Sequence, residues 1–386
     1  MMYIRKLILN FKFLILNCLL LCNSALSAQE FSGYVSGMPS IIVQHPGSEV
    51  WWQMLVHNRL NFGSQMGKYL RVDVGVRNRI IAGSEMLIDP KSISHDLGWL
   101  NLSWNWKEWK NVVGNTSFDR LSLTFEKNKW KLRLGRQRIN WGQTFVWNPN
   151  DIFNTYSFFD FDYIERPGCD AFRGTYYHSA TSSSELAVSV NRDNKVTAAY
   201  LFRRNWKSID YQLIGGMQTE SDLVIGGAIT SDIKGLNLRG EMSYFHPFKS
   251  FVDTSGIVAL SIGTDYVFSN SLMLQAEFLY NNVNKTFSEG GLIGLYSAPL
   301  SAKYLSICNW NLFAQVSYPF TPLFKGSLSS MYFIDIQSFY VGMSLDYSII
   351  ENLDLSFITQ YFASFSNSNP GNMHALLGFV RIKYAF

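Results

Sequence analysis

The chain of 386 residues is short of charge: 16% of it is Asp, Glu, Lys or Arg, against roughly 25% in soluble domains. Beyond its N-terminal segment it has no apolar run of spanning length. A transmembrane helix needs roughly 20 such residues, so a helical membrane protein is excluded. Cysteine is scarce. Cys18 and Cys22 fall in the leader described below, which leaves Cys169 and Cys308. Two thiols make neither a disulfide framework nor a metal cluster; both are expected free and buried, a single bridge being the alternative. No Pro/Ser-rich linker and no fixed-period repeat divides the chain, so one domain is expected. No G-x-S-x-G or H-E-x-x-H occurs, and none of the histidines lies in a nucleophile setting. An enzyme is not expected, and neither is a cofactor or a metal.

The N-terminus carries Arg5, Lys6 and Lys12, an apolar run from Phe13 to Leu21, and small residues through Ser27 and Ala28. This order is that of a secretory signal peptide, expected over residues 1–28, with residues 29–386 as the exported domain. Cys22 lacks the small residue that lipoprotein processing wants before it. Losing Arg5, Lys6 and Lys12 brings the 33 basic residues to 30, against 29 acidic ones. The mature chain is then near neutral and offers no argument for a nucleic-acid partner.

Alternation is the dominant signal. Leu70, Val72, Val74 and Val76 interleave with Arg71, Asp73, Gly75 and Arg77; Leu121, Leu123 and Phe125 interleave with Arg120, Ser122 and Thr124. The same period of two recurs at Leu223–Ile229, Leu236–Tyr244, Val258–Phe268, Leu272–Tyr280 and Leu353–Tyr361. A strand turns successive side chains to opposite faces. A sandwich alternates too, but not for most of a long chain without a domain break. Runs close to the ~9–11 residues that a tilted membrane strand needs point to an all-β, transmembrane, antiparallel up-and-down barrel. Short turns are expected near 127–128, 183, 234–235, 269–270 and 351–352. Longer outer loops are expected near 107–116, 139–169, 246–255, 282–302 and 365–371. The count is about 18 strands from residue 50 on, with 16 the alternative; residues 31–43 read as an extra strand or a periplasmic lead-in. Trp51, Trp52, Trp99, Trp104, Trp106, Trp141, Trp147, Tyr318 and Phe320 cluster near expected strand ends, where a membrane interface favours aromatic rings.

At the other terminus Val380, Ile382, Tyr384 and Phe386 alternate with Arg381 and Lys383. This resembles the C-terminal strand of bacterial outer-membrane barrels, in which a terminal aromatic is the assembly signal. Alternation breaks at residues 133–173. There the motifs G-R-Q-R-I-N-W-G (135–142) and W-N-P-N-D-I-F-N (147–154) resemble the signature of an uncharacterised outer-membrane porin-like group, near the alginate-export and long-barrel porin families. The resemblance implies a diffusion channel and assigns no ligand residues.

Arg136 and Arg138 share the parity of Leu132 and Leu134. A charge facing lipid at mid-depth costs ~2–4 kcal/mol, so a bulge at Gly135 is expected to turn both arginines inward, unless this end stands clear of the bilayer. The following loop is rich in Phe, Trp and Tyr, which favour burial. It also carries Asp151, Asp160, Asp162, Glu165, Arg166 and Asp170. It is expected to fold into the barrel and narrow it. Arg59, Arg71, Asp73, Arg77, Arg79, Arg239 and Glu241 are expected to line the bore, with Arg120, Glu126, Glu277, Asp354, Arg381 and Lys383 as further candidates. A basic ladder facing an acidic loop sets a field across the narrow section; the alternative is that these charges pair and fill the lumen. The expected function is passive diffusion of small hydrophilic solutes across an outer membrane, with membrane lipid as surroundings and a homo-oligomer suggested by analogy. A non-conducting adaptor or assembly component with a filled lumen is the alternative.

Overall fold

A computed structural model describes residues 26–45, 49–159, 165–249, 251–282, 301–365 and 372–386. The strands are β1 Leu26–His45, β2 Glu49–Met66, β3 Leu70–Gly83, β4 Ser103–Trp109, β5 Val112–Lys127, β6 Trp130–Gln137, β7 Cys169–Ser179, β8 Ser182–Val190, β9 Val196–Trp206 and β10 Ile209–Gln218. They continue as β11 Asp222–Ile233, β12 Leu236–Pro247, β13 Ile257–Val267, β14 Met273–Asn281, β15 Trp310–Thr321, β16 Phe324–Phe333, β17 Ser338–Ile350, β18 Leu353–Phe365 and β19 Asn372–Ala385. Every pairing is antiparallel between sequence neighbours, except that β3 pairs directly with β5. β1 joins both β2 and β19, with Tyr34 opposite Arg59 on one side and Ala385 on the other. The sheet is therefore a closed barrel of 18 strands, and closure removes the unpaired edges that an open sheet would expose.

The expected total of 18 wall strands holds, but it includes residues 26–45 as a full wall strand rather than a lead-in, so that 17 wall strands follow residue 48. β4 is the extra element. It pairs with the outer half of β5, whose inner half pairs with β6. It belongs to the long connection 84–111, which also holds the short helix α1, Pro90–Ser94, capped by the Asp89 carboxylate accepting from the backbone N–H groups of Lys91 and Ser92. The short turns fall on the side of the chain ends, as at Lys234–Gly235, where both residues take positive φ. The turn expected at Ser183 lies at 180–181, one β-hairpin step earlier.

The apolar parity faces out. Leu134, Leu213, Ile225, Ile262, Leu312 and Ile382 are exposed, as are Phe386 and Tyr384 at the C-terminus. The opposite parity carries the buried polar set, such as His57, Arg59, Glu241, Ser261, Glu277 and Gln360. That inversion of a globular core, greasy outside and wettable within, is what a barrel in hydrocarbon requires. No helix among the described residues is long and apolar enough to cross a membrane; the wall is made of strands. Trp52, Trp99, Trp104, Trp106 and Phe320 are exposed near strand ends as expected, but Trp141 and Trp147 belong to the connection after β6 and are buried. Cys169 and Cys308 are free as expected; Cys308 is buried, whereas Cys169 is half-buried.

Candidate functional site

The connection between β6 and β7, residues 138–168, is held by wall side chains of the inner parity. Glu241 on β12 accepts the backbone N–H groups of Gln143 (2.6 Å), Thr144 (3.2 Å) and Asn150 (2.6 Å). Glu277 on β14 accepts those of Phe145 (2.8 Å), Val146 (3.0 Å) and Trp147 (2.8 Å), and the Ser261 hydroxyl as well. A loop dragged away from water must find acceptors for its own N–H groups, and two carboxylates supply them for six residues. Hydrogen bonds to a charged acceptor are about twice as strong as neutral ones. Further along the wall, the Trp141 indole donates to Glu185 (2.5 Å), Gln212 donates to the Trp141 carbonyl (2.7 Å), and Asn150 is gripped by Gly227 and Ser243.

The tip crosses to another part of the wall. Phe158 and Phe159 meet Phe313 on β15, Tyr340 on β17 and Phe362 on β18, at centroid separations of 5.0–5.3 Å for the three nearest pairs, in edge-on geometries that aromatic pairs favour. The returning limb reaches β1 and β5. The Tyr34 hydroxyl donates to Glu165 (3.0 Å), and Arg120 donates to the Glu165 and Arg166 carbonyls. The two motif stretches are thus the clips of this loop. Gln137 donates to the Ala171 carbonyl, and the Ile139 N–H to Asn154. Gly142 leaves room for Asn148, whose side chain a Cβ there would strike.

Arg136 departs from expectation. Pairing runs unbroken through Gly135, which stands opposite Ser122 and takes φ +109° without a register shift. Arg136 therefore keeps the parity of Leu132 and Leu134 and is not swung inward. Its charge is met by a roof instead. Residues 96–102 pass over the ends of β6 and β7, and Arg136 donates to Asp170 (2.7 and 2.8 Å), Asp96 (2.6 Å) and the Leu100 and Phe118 carbonyls. Gly98 makes that roof close enough, since a Cβ there would run into Arg136 and Asp170. The bulge lies elsewhere. Gly75 opposes Arg120 and Val76 opposes Phe118, so Asp119 is the extra residue and both Asp119 and Arg120 fall on the inner side.

The other expected residues are placed as follows. Arg59 is buried and ion-paired with Asp119, with Glu165 at 3.8 Å. Arg71 is bridged to Asp73 (2.8 Å) and Glu30 (2.6 Å). Arg77 donates to His57, and Arg79 to Asn115 and the Ile93 carbonyl. Arg239 reaches Asp265 and the Gln143 carbonyl and lies over the Phe145 ring. Arg138 faces the Tyr156 ring, and burial pulls its guanidinium below the usual range. Asp151 is fully buried, and neither carboxylate oxygen accepts a hydrogen bond of ordinary geometry among the described residues, although the Trp141 backbone N–H lies near it. Burial pushes it up to about 8, against the pull of Arg138. Asp160 and Asp162 lie outside the described residues.

Three further arginines join the inner face. Arg133 and Arg173 stand directly opposite each other on β6 and β7, and Arg203 lies two strands on. Arg173 is paired with Glu185 (2.7 Å). Arg133 donates to Thr124 and Arg203 to Gln212, and neither has a carboxylate within ion-pair distance among the described residues. The signal for Arg133 was its place between Leu132 and Leu134. Arg203 was hidden by Arg204 beside it.

No family model matches the chain, and no curated protein matches it. Solved structures do. The crystal structure of Acinetobacter baumannii OccAB1 superposes with a TM-score of 0.58 at 10% identity, over 94% of this chain and 98% of that one. Pseudomonas aeruginosa OpdQ gives 0.56 at 8% identity, over 93% and 99%. Pseudomonas aeruginosa OccD3 (OpdP) gives 0.56 at 11% identity, over 94% and 92%. The chain has the fold of the outer-membrane porins. Identity this low carries the architecture and leaves the individual residues of the lumen to be judged on their own contacts.

Proposed function

We propose that the protein is an outer-membrane channel for passive diffusion of small hydrophilic solutes, delivered by a leader over residues 1–28 whose last three residues overlap the start of β1, with the loop 138–168 narrowing its bore. The observation that carries the reading is the loop's route: anchored on Glu185, Glu241 and Glu277, wedged by Phe158 and Phe159 between β15 and β18, and tied back to Tyr34. A segment bound at both walls of a cylinder reduces its free section. The wall cations Arg133 and Arg203 beside that section favour anions over cations, because a charge in a low-dielectric channel acts at longer range than in bulk water. No residue is assigned a catalytic role.

Planar-bilayer recording on the reconstituted barrel tests the reading. Discrete conductance steps with a reversal potential on the anion-selective side are expected. A folded, inserted barrel that passes no current would overturn it in favour of an adaptor with a filled lumen.

A further inference from the structure

Below the Phe158 contact, toward the chain ends, lies a cavity of about 260 Å³ against the inner face of β15–β19. That is just under the ~300–1,000 Å³ span of drug-sized ligand sites, so it suits one ring or a short open chain. Its lining differs from the rest of the lumen. Gln315, Ser327, Ser329, Tyr340, Ser344 and Gln360 are neutral and carry hydroxyl or amide groups, and apolar side chains such as Ile358 share the lining. At its lower edge Arg381 and Asp346 stand 3.9 Å apart and offset each other. Gly342 keeps the floor open, since a Cβ there would collide with the Tyr340 hydroxyl.

Several of these groups have unused bonding capacity. The side chains of Gln315 and Ser327 make no hydrogen bond among the described residues, and the Gln360 carbonyl oxygen, in a residue 2% exposed, accepts none. Ser344 donates to Asp346 (2.8 Å) and keeps its lone pairs. Half-buried neutral donors and acceptors set around an aromatic surface match a solute that has hydroxyl groups on its rim and C–H groups on its face. A bare anion finds no net charge there, and an apolar solute would leave the amides unpaired.

We propose that this cavity is a binding subsite for a neutral polyhydroxylated solute of about one sugar ring. The inference rests on the channel reading for how the solute arrives. It places the selectivity for hydroxyl groups on β15–β18, away from the arginines.

D-glucose is the probe, with glycine betaine as a hydroxyl-free control and gluconate as a charged one. In the bilayer, glucose is expected to reduce the current saturably and glycine betaine only in proportion to bulk viscosity. Gln360→Leu is expected to raise the half-blocking glucose concentration about tenfold, and Ser344→Ala a few-fold, with the gluconate response less affected. Saturation-transfer NMR on the detergent-solubilised barrel reads glucose binding whether or not current flows, and circular dichroism checks that each variant keeps its sheet. Current without a saturable glucose effect and without NMR transfer overturns the subsite and leaves the channel standing. Glucose binding without current overturns the channel and keeps the site. Neither signal overturns both.

Discussion

Two arcs of the same barrel wall use the inner parity in opposite ways. From β2 to β9 it carries Arg59, Arg77, Arg133, Arg173 and Arg203, two pairs of which, Arg59–Arg77 and Arg133–Arg173, stand directly opposite across neighbouring strands. Like charges so placed destabilise a sheet by up to ~1 kcal/mol per pair. Asp119, Glu165 and Glu185 offset part of this. From β15 to β18 the same parity carries Ser, Gln and aromatic residues at mid-wall, and those rings receive the loop tip; Lys325, Asp346 and Asp354 fall on it toward the chain ends. At mid-wall one side of the bore thus keeps a field and the other keeps neutral hydrogen-bonding groups. The backbone of the loop between them is fixed by carboxylates on neither arc, Glu241 and Glu277 on β12 and β14, while Glu185 on the charged arc holds the Trp141 indole.

The largest effect on this contrast is expected from removing both anchors. Glu241→Ala with Glu277→Ala leaves six backbone N–H groups without acceptors, each costing roughly 1–3 kcal/mol if it stays buried. The loop should leave the wall, and single-channel conductance should rise several-fold, with solute size no longer discriminated. An unchanged conductance would show that these bonds do not hold the narrow section.

Next in size is the rim latch over the charged arc. Arg136→Met strands Asp96 and Asp170 in buried positions, which typically costs about 3–5 kcal/mol. A lower unfolding temperature of the barrel in detergent is expected, and Asp96→Asn should lower it less. Equal stability of the three proteins would mean that the roof is held by something else.

Neutralising the field is a smaller change. Arg133→Gln with Arg203→Gln removes two wall cations that have no carboxylate within ion-pair distance among the described residues, each worth about 1 kcal/mol toward a passing anion at water-like dielectric. The anion-to-cation permeability ratio from reversal potentials should fall several-fold, while glucose block on the opposite arc stays as it was. Loss of both together would join the two arcs into one site.

The smallest effect concerns Asp151. Its carboxyl is raised by burial to about 8, so the docked loop retains a proton that the released loop gives up near the ordinary Asp value of ~3.9. Docking is therefore favoured most below that value, weakens progressively as pH climbs from there to about 8, and changes no further above it. Current noise should grow between about pH 5 and 8 in the native channel and stay flat in Asp151→Asn. Noise with the same pH profile in both would assign the titration to another group.

The legible parts were those written at nearest neighbours. The faces of Leu70–Val76, Leu236–Tyr244 and Val380–Phe386 follow from a period of two, and the structure has them where alternation puts them. The aromatic load of 139–159 marked a loop that avoids water. Arg136 was misread because the cost of a charge on the lipid parity can be met either by turning the strand or by covering the charge. The roof that covers it is some forty residues away in sequence. Asp119 was missed because a bulge leaves no compositional mark in a stretch as mixed as Ser117–Arg120. Trp141 and Trp147 looked like interfacial rings, and they are loop anchors. Their indoles have the same composition in either place, and only the partner, Glu185 or Phe313, tells them apart.

The sequence by itself determined the barrel, since one-residue alternation sorts side chains between hydrocarbon and water with no knowledge of distant partners. It also determined that the aromatic stretch 138–159 would not stay in solvent. Only the tertiary structure decided which carboxylates catch the loop, which arginines lack a carboxylate partner among the described residues and which arc stays neutral at mid-wall. These depend on backbone N–H groups and register across the cylinder, and neither has a residue-type signature along the chain.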